Sequence, residues 1–179
     1  MDSEKLEGLR YPTGRFTPPE TYSPETRKTY ITALKVLPGQ LRQVTYNLSE
    51  KQLDLPYREE GWSSRQIVHH LADSHINSFS RFKFAMTEDN PTIKSYDQEA
   101  WVKGSDAKLP IDASLSILEG IHLRLVHLLE NMSDADFKRT LGHPEWKEDL
   151  TLDKMTALYA WHGNHHLTQI AKLKERQGW

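Results

Sequence analysis

The 179-residue chain contains no cysteine. That excludes disulfides, thiolate zinc sites, iron-sulfur clusters and a cysteine nucleophile, and it fits a reducing compartment. Long apolar runs are missing as well. No stretch approaches the roughly 18 apolar residues of a membrane span, and the polar start MDSEKLEG lacks the basic-then-apolar pattern of a secretory signal. A soluble, cytoplasmic protein is expected, with no membrane partner. Positive charge is not concentrated either: 23 Lys and Arg are interspersed with 25 Asp and Glu, for a formal net charge of -2. The basic footprint that neutralises nucleic-acid phosphates is therefore lacking, and no nucleic-acid partner is expected. The length suits one domain, residues 1–179, burying about two thirds of its unfolded surface without a covalent staple.

What the chain does have is helical periodicity. Residues 1–22 hold Pro12, Gly14, Pro18 and Pro19, too many breakers for a helix, and read as an extended arm laid over the domain through Tyr11, Phe16 and Tyr22. Ser23 followed by Pro24 opens a helix carrying Ile31, Leu34, Leu37, Leu41 and Val44, which Pro38 should kink or split. Capping boxes stand at Ser49 with Gln52 and at Ser63 with Gln66, the second opening an amphipathic helix over 64–86. The connection 87–112, with Pro91, Gly104, Pro110, Tyr96 and Trp101, has the length of a lid or binding loop. Leu115, Leu118, His122, Leu125 and Leu129 mark a helix over 113–131, and Ser133 caps a short turn containing Phe137. Lys138 to Leu150 reads as loop or a small hairpin, and Thr151 starts a last helix that runs to Gln177 before Gly178. Four long helices with short or irregular links imply an all-α, antiparallel bundle.

Histidine is the residue whose placement carries chemistry. At about 100° per residue from Met155, Leu158, Tyr159, Ile170 and Leu173 fall within roughly 60° of one stripe, and His162 and His166 of the HGNHH segment within about 20°. His165 lies nearly 80° off. The inward pair is therefore 162 and 166, one turn apart, a spacing that lets two imidazoles grip one metal ion. In HHLADSH the stripe from Ile67 through Leu71, Ser74, Ser78, Phe82 and Ala85 discards His69, leaving His70 about 60° to one side and His75 about 80° to the other. Periodicity does not choose between them. A lone core-facing histidine ordinarily finds only a hydrogen bond, but two unpaired imidazoles in an apolar stripe would each cost roughly 1 to 3 kcal/mol, a burden that a shared cation removes. His122, His127 and His143 read as surface or loop residues, and Tyr159 and Trp161 as plain core.

HHLADSH with RFK soon after, YD and W in the loop, then YAWHGNHH and a terminal GW, together with YPTG and YREEGWSSRQIVHHLADSH, resemble the YfiT-like branch of the DinB superfamily of metal-dependent hydrolases. The likeness runs from Tyr11 to Trp179. It implies an up-down-down-up four-helix bundle, a homodimer, and one divalent metal per subunit bound by His70, His162 and His166. Three imidazoles suit zinc, nickel, iron(II) and copper; zinc is the first expectation and nickel the next. Such an ion keeps a position for water and lowers its pKa to about 7, enabling attack on a carbonyl carbon or a phosphorus of a small-molecule substrate.

The same position can take a thiol as its thiolate. Relatives in this branch are bacillithiol S-transferases, so transfer of a low-molecular-weight thiol to an electrophile is the alternative to hydrolysis, with a non-catalytic metal- or ligand-binding bundle behind both. The spacing HxxxH has Gly163 where HExxH enzymes place a glutamate base. Asp73, one turn beyond His70, is the nearest carboxylate in sequence and the candidate base, although orienting a histidine is its more ordinary role. Tyr96, Trp101 and Arg81 are candidates to line the pocket, with no role assigned.

Overall fold

The computed structural model describes residues 3–144 and 148–179. Helix α1 spans Ser3–Arg10, α2 Pro24–Thr45, α3 Glu50–Leu53, α4 Ser64–Thr87, α5 Gln98–Trp101, α6 Asp112–Glu130, α7 Asp134–Phe137 and α8 Leu152–Gln177, with a 3₁₀ turn at Ser105–Lys108. Of the four long helices, α2, α4 and α8 begin where side-chain caps satisfy free backbone N–H groups, while α6 begins at Ile111 without one. Ser23 Oγ accepts from the Thr26 amide at 3.2 Å, and Thr151 Oγ1 from that of Lys154 at 3.2 Å. Ser63 Oγ accepts from the Gln66 amide at 3.2 Å while Gln66 Oε1 accepts from the Ser63 amide at 2.9 Å, the expected capping box. At its far end α8 closes on Gly178, whose φ of 70° favours glycine.

Contacts between side chains fix the direction of each helix. Along α2 and α8, Arg27 meets Asp153 and Lys174 meets the Val44 carbonyl, so the two run parallel. Along α2 and α6, Lys35 pairs with Glu130 and Arg42 with Glu119, so these are antiparallel. His69 bonds Ser114, His75 bonds His122 and Arg124 lies over Phe79, which makes α4 parallel to α6. Taking α2 as up, α4 and α6 run down and α8 up, so the bundle is not antiparallel throughout: the long 88–111 connection lets α4 and α6 run parallel, as α2 and α8 do. The helices form a ring in which α2 packs on α8 and α6, and α4 on α6 and α8.

Inside the ring, the core falls into two apolar clusters. One contains Leu34, Phe82, Leu125 and Met155; the other contains Leu37, Leu71, Leu118 and Ile170. Buried His70 and His75 on α4, His122 on α6 and His166 on α8 lie among these apolar residues.

Three further expectations change. Residues Ser3–Arg10 form a helix, because the breakers begin only at Pro12; the arm over 11–23 is irregular and does lie on the bundle, Trp161 Nε1 donating to the Gly14 carbonyl at 3.2 Å. Pro38 neither splits α2 nor ends it. The carbonyl its missing N–H leaves free, Leu34 O, accepts instead from His122 Nδ1 at 2.6 Å. That same contact buries His122 to 2% exposure, so it is a core residue and not a surface one. His127 is exposed and His143 sits in a loop. Between α7 and α8, Thr140–Leu141 pairs antiparallel with Leu150–Thr151, the small hairpin the sequence allows; positions 145–147 of that stretch lie outside the described residues.

Arg27 anchors α2 to α8 as a bidentate ion pair, its Nε and Nη2 reaching Asp153 at 2.6 and 2.9 Å, while its Nη1 pairs with Asp134. The Arg27 and Asp153 side chains are only 10% and 8% exposed, whereas that of Asp134 is 78% exposed. Removing one partner of a buried pair strands the other charge. Asp153→Ala should lower the unfolding free energy by about 3 kcal/mol or more in urea titrations, and Asp134→Ala by less than about 1 kcal/mol; equal effects would contradict this assignment.

Candidate metal centre

His70 stands two turns into α4, held there by the Ser63 cap, and His162 and His166 lie one turn apart on the antiparallel α8. The ligand nitrogens of all three lie within 4.8 Å of one another. His70 Nε2 and His162 Nε2 face each other at 3.1 Å. Two ligands bound at about 2.1 Å to one ion sit about 3.0 Å apart at right angles and about 3.4 Å apart in a tetrahedron. The observed separation falls in that interval, and the all-imidazole donor set suits a borderline divalent cation.

Electrostatics point the same way. His70 is 2% exposed and His166 8% exposed. Burial first, and then repulsion from neighbouring imidazoles, holds His70, His162 and His166 well below the usual histidine range. All three are thus neutral, the form in which imidazole ligates. The tautomer of His166 is set by Gln169, whose Oε1 accepts from Nδ1–H at 2.8 Å and so leaves the Nε2 lone pair inward. The Gln169 amide nitrogen donates to the Arg10 carbonyl at 3.0 Å, joining the arm to the site. Trp62 covers the trio, its ring centroid 4.6 Å from that of His70 and 6.0 Å from that of His166.

His162 and His166 open onto a cavity of about 230 Å³ whose wall includes Tyr11, Arg10, Arg58, Trp62 and Glu99. Glu99 comes from α5 in the long 88–111 connection and accepts from Trp62 Nε1 at 3.3 Å. That connection does reach the site, though through Gln98 and Glu99 and not through Trp101, which is exposed and packs on Tyr96. Arg81 and Tyr159 border a smaller cavity of about 110 Å³ on another side of His162.

The remaining histidines sort as their angles suggest, with one addition. His69 faces away, bonding Ser114 Oγ at 2.7 Å and the Leu109 carbonyl at 3.0 Å. His165 lies beside the trio, stacked on Trp161 at 4.8 Å under the arm. His75 does not join the trio but stands behind it, its Nε2 3.5 Å from His162 Nδ1. Sequence reasoning passed over Gln169 and Trp62. Gln169, three residues beyond His166, shares its helical face, and Trp62 immediately precedes the cap; those positions were the available signals.

A comparison with protein families matches residues 33–170 to the DinB superfamily. The chain belongs to that superfamily. A protein of Bacillus mycoides named "putative metal-dependent hydrolase" is 47% identical over 174 residues, covering 97% of this chain and 100% of that one. A Geobacillus thermodenitrificans protein of the same name is 45% identical over 175 residues, covering 97% and 98%. Among solved structures, YfiT from Bacillus subtilis, described as "a probable metal-dependent hydrolase with an unusual four-helix bundle topology", superposes with a TM-score of 0.93 at 43% identity, over 96% of this chain and 99% of that one.

The HxxxH spacing with glycine at its second place has a packing cause in this chain. A Cβ on Gly163 would lie 2.3 Å from Leu37 Cδ2, so the position sits against α2 and has no room for a glutamate. Gly163→Ala should destabilise the fold by about 1 to 3 kcal/mol although alanine is the better helix former by about 1 kcal/mol; a rise in melting temperature would contradict the close approach.

Asp73 is half-buried, and its carboxyl is pushed up to about 6, first by burial and then by Asp106. It is not among the residues around either cavity. Because its folded-state pKa lies above the ordinary carboxylate value, ionisation opposes folding: the penalty is absent below about pH 4, grows up to about pH 6 and then stays constant. Asp73→Asn should therefore raise the urea midpoint at about pH 7.5 and leave it unchanged near pH 4. A gain of the same size at both values would refute the shift.

Proposed function

We propose that the chain is a metal-dependent hydrolase in which His70, His162 and His166 hold one divalent ion, zinc first and nickel second, beside a cavity that admits a small-molecule substrate. The observation that carries this reading is the meeting of the three imidazoles within 4.8 Å, with two of them on the cavity wall. The names of the Bacillus and Geobacillus relatives and of YfiT support it. When bound, such an ion supplies a Lewis acid and brings the pKa of a water to about 7.

The protein's own residues do the rest. Gln169 keeps the His166 lone pair inward. Trp62 excludes water from above His70, strengthening every electrostatic interaction beneath it. Arg10 and Arg58 bring positive charge to the cavity mouth, suited to a carboxylate or phosphate on the substrate, and Glu60 and Glu99 are the carboxylates on the wall that can take a proton in transit. With Gly163 excluding an HExxH-type base and Asp73 away from the cavity, this reading leaves Asp73 without a step.

Thiol transfer is the second reading. It is favoured by the two arginines at the cavity, which suit an anionic cosubstrate; with no cysteine in the chain, the thiol would be a small molecule. A homodimer belongs to the same proposal, and Leu123, 76% exposed on α6, and Phe84, 49% exposed on α4, are apolar residues it would cover.

Elemental analysis of the purified protein should find one zinc or nickel per chain. The loaded protein should hydrolyse an activated ester or phosphodiester without added thiol, and His162→Ala should lose the metal and lower the rate by about two orders of magnitude or more. Consumption of a chlorinated aromatic only when a small thiol is present would select the transferase. Turnover unchanged in His162→Ala would overturn both, and metal binding without any turnover would leave a binding bundle.

A further inference from the structure

One part of the polar layer is not used by the proposed chemistry. His75, 0% exposed, and His122, 2% exposed, are buried titratable groups in the middle of the bundle. Their contacts form a continuous line. His162 Nδ1 lies 3.5 Å from His75 Nε2, His75 Nδ1 lies 2.9 Å from His122 Nε2, and His122 Nδ1 lies 2.6 Å from the Leu34 carbonyl oxygen. The His75 and His122 rings are stacked, with centroids 4.8 Å apart.

From the Leu34 carbonyl to His75 Nδ1 the line has one consistent assignment of protons for neutral rings, and a hydrogen on His162 Nδ1 extends it. A carbonyl oxygen accepts and cannot donate, so His122 Nδ1 carries its hydrogen toward Leu34. These rings touch one another with no carboxylate hydrogen-bonded to any of them among the described residues, and adjacent buried imidazoles do not all charge. A neutral ring has one N–H and one lone pair, so His122 Nε2 accepts from His75 Nδ1–H. His75 Nε2 is then the lone pair that faces His162 Nδ1–H. At 3.5 Å this last contact is at the outer limit for a hydrogen bond and is the weakest of the three. His162 is left with its Nε2 lone pair facing His70 Nε2.

The origin of the direction is Pro38. In an uninterrupted helix the Leu34 carbonyl would accept from the amide of residue 38; proline has none, and the free carbonyl becomes the end of the line. Because that carbonyl is buried, the line has no exit to solvent at this end and does not conduct protons outward. It can only orient.

We infer that His75 and His122, directed by the Leu34 carbonyl that Pro38 frees, are positioning residues that hold His162 in the tautomer and ring orientation needed to present Nε2 to the metal. The inference rests on the three-histidine reading above and adds to it supports from α4 itself, through His75, and from two further helices, α6 through His122 and α2 through Leu34 and Pro38. Gln169 does the corresponding work for His166, so two of the three ligands have their Nδ1–H assigned to a protein acceptor.

Two measurements test it. The first uses the metal-free wild-type protein and long-range nitrogen–proton NMR of its imidazoles. His162, His75 and His122 should all be neutral with the proton on Nδ1; a proton on Nε2 of His162 or of His122 would overturn the line. The second uses Co(II) and Zn(II) titrations against a competing chelator. His75→Phe should weaken both metals by about 10- to 100-fold, the loss typical of removing such a support, and shift the visible spectrum of the Co(II) form. His75→Gln can accept from one neighbour and donate to the other, and should restore affinity to within about threefold of wild type. Pro38→Ala, which returns an N–H to compete for Leu34 O, should weaken binding in the same direction without touching any imidazole.

Equal affinity in wild type and His75→Phe, or failure of His75→Gln to rescue while His75→Phe weakens, would overturn the positioning role. If His75→Phe does not fold, the wild-type tautomers and Pro38→Ala still decide it. A wild-type protein that takes up no Co(II) would sink the metal reading itself, and the positioning role with it.

Discussion

A layer of imidazoles across the middle of a four-helix bundle is the constraint on which the rest of this structure depends. Each neutral ring brings one donor and one acceptor into a region without bulk water, and a buried polar nitrogen without a partner costs roughly 1 to 3 kcal/mol. The apolar clusters on either side have no partners to offer. The layer must therefore satisfy itself, from its own rings, from the side chain of Gln169, from backbone carbonyls, or from a shared cation. Every unusual residue near it serves that accounting. Pro38 frees a carbonyl for His122, Gly163 lets α8 approach α2 closely, and Gln169 divides its amide among His166, His165 and the arm.

How much of this was legible in the sequence depends on whether a partner lies on the same helix. His162 and His166 share one face of α8 with Met155, Ile170 and Leu173, so counting at 100° per residue suffices to turn them inward. The choice between His70 and His75 rests on which flank of α4 faces α8 and which faces α6, a fact of the ring order that no single helix encodes; family resemblance supplied a choice, and His70 Nε2 lies 3.1 Å from His162 Nε2 on α8. His122 shows the same limit more sharply. It stands in register with Leu118 and Leu125, which marks it as inward, yet the acceptor that makes its burial tolerable is the carbonyl of Leu34, 88 residues away. Without knowledge of that partner, a histidine in an apolar stripe reads as a surface residue.

That Pro38 does not split α2, and that a helix precedes the breakers at the N-terminus, have related reasons. The rule that proline breaks a helix counts the hydrogen bond lost at the i−4 carbonyl and assumes that nothing replaces it. In α2 something does, and the helix continues to Thr45. At the N-terminus the breakers at Pro12, Gly14, Pro18 and Pro19 govern only the residues beyond them, and Ser3–Arg10 has enough helix formers ahead of them to turn. The arm that comes after is held by its aromatic side chains, Tyr11 against His165 and Phe16 against Trp161, as the distribution of those residues suggests.

The topology explains why one ring of helices can carry both a cluster of three histidines and its supports. In the order α8, α4, α6, α2 each helix touches the next, and the line from His162 through His75 and His122 to Leu34 passes through them in that order. The two nitrogens of His162 are thereby divided: Nε2 belongs to the site shared with α4, and Nδ1 belongs to the scaffold. A bundle in which α6 and α8 exchanged places would keep α4 against both but would reverse which of its flanks meets α8, bringing His75 toward the pair and His70 away from it. The up-down-down-up arrangement, with parallel α4 and α6 joined by the long 88–111 connection, is thus tied to which histidines meet, and that connection in turn delivers Glu99 and Gln98 to the cavity wall. Fold and site are consequently one problem in this chain: the packing that gathers His70, His75, His122, His162 and His166 at one level is the packing that decides which of them a metal would find.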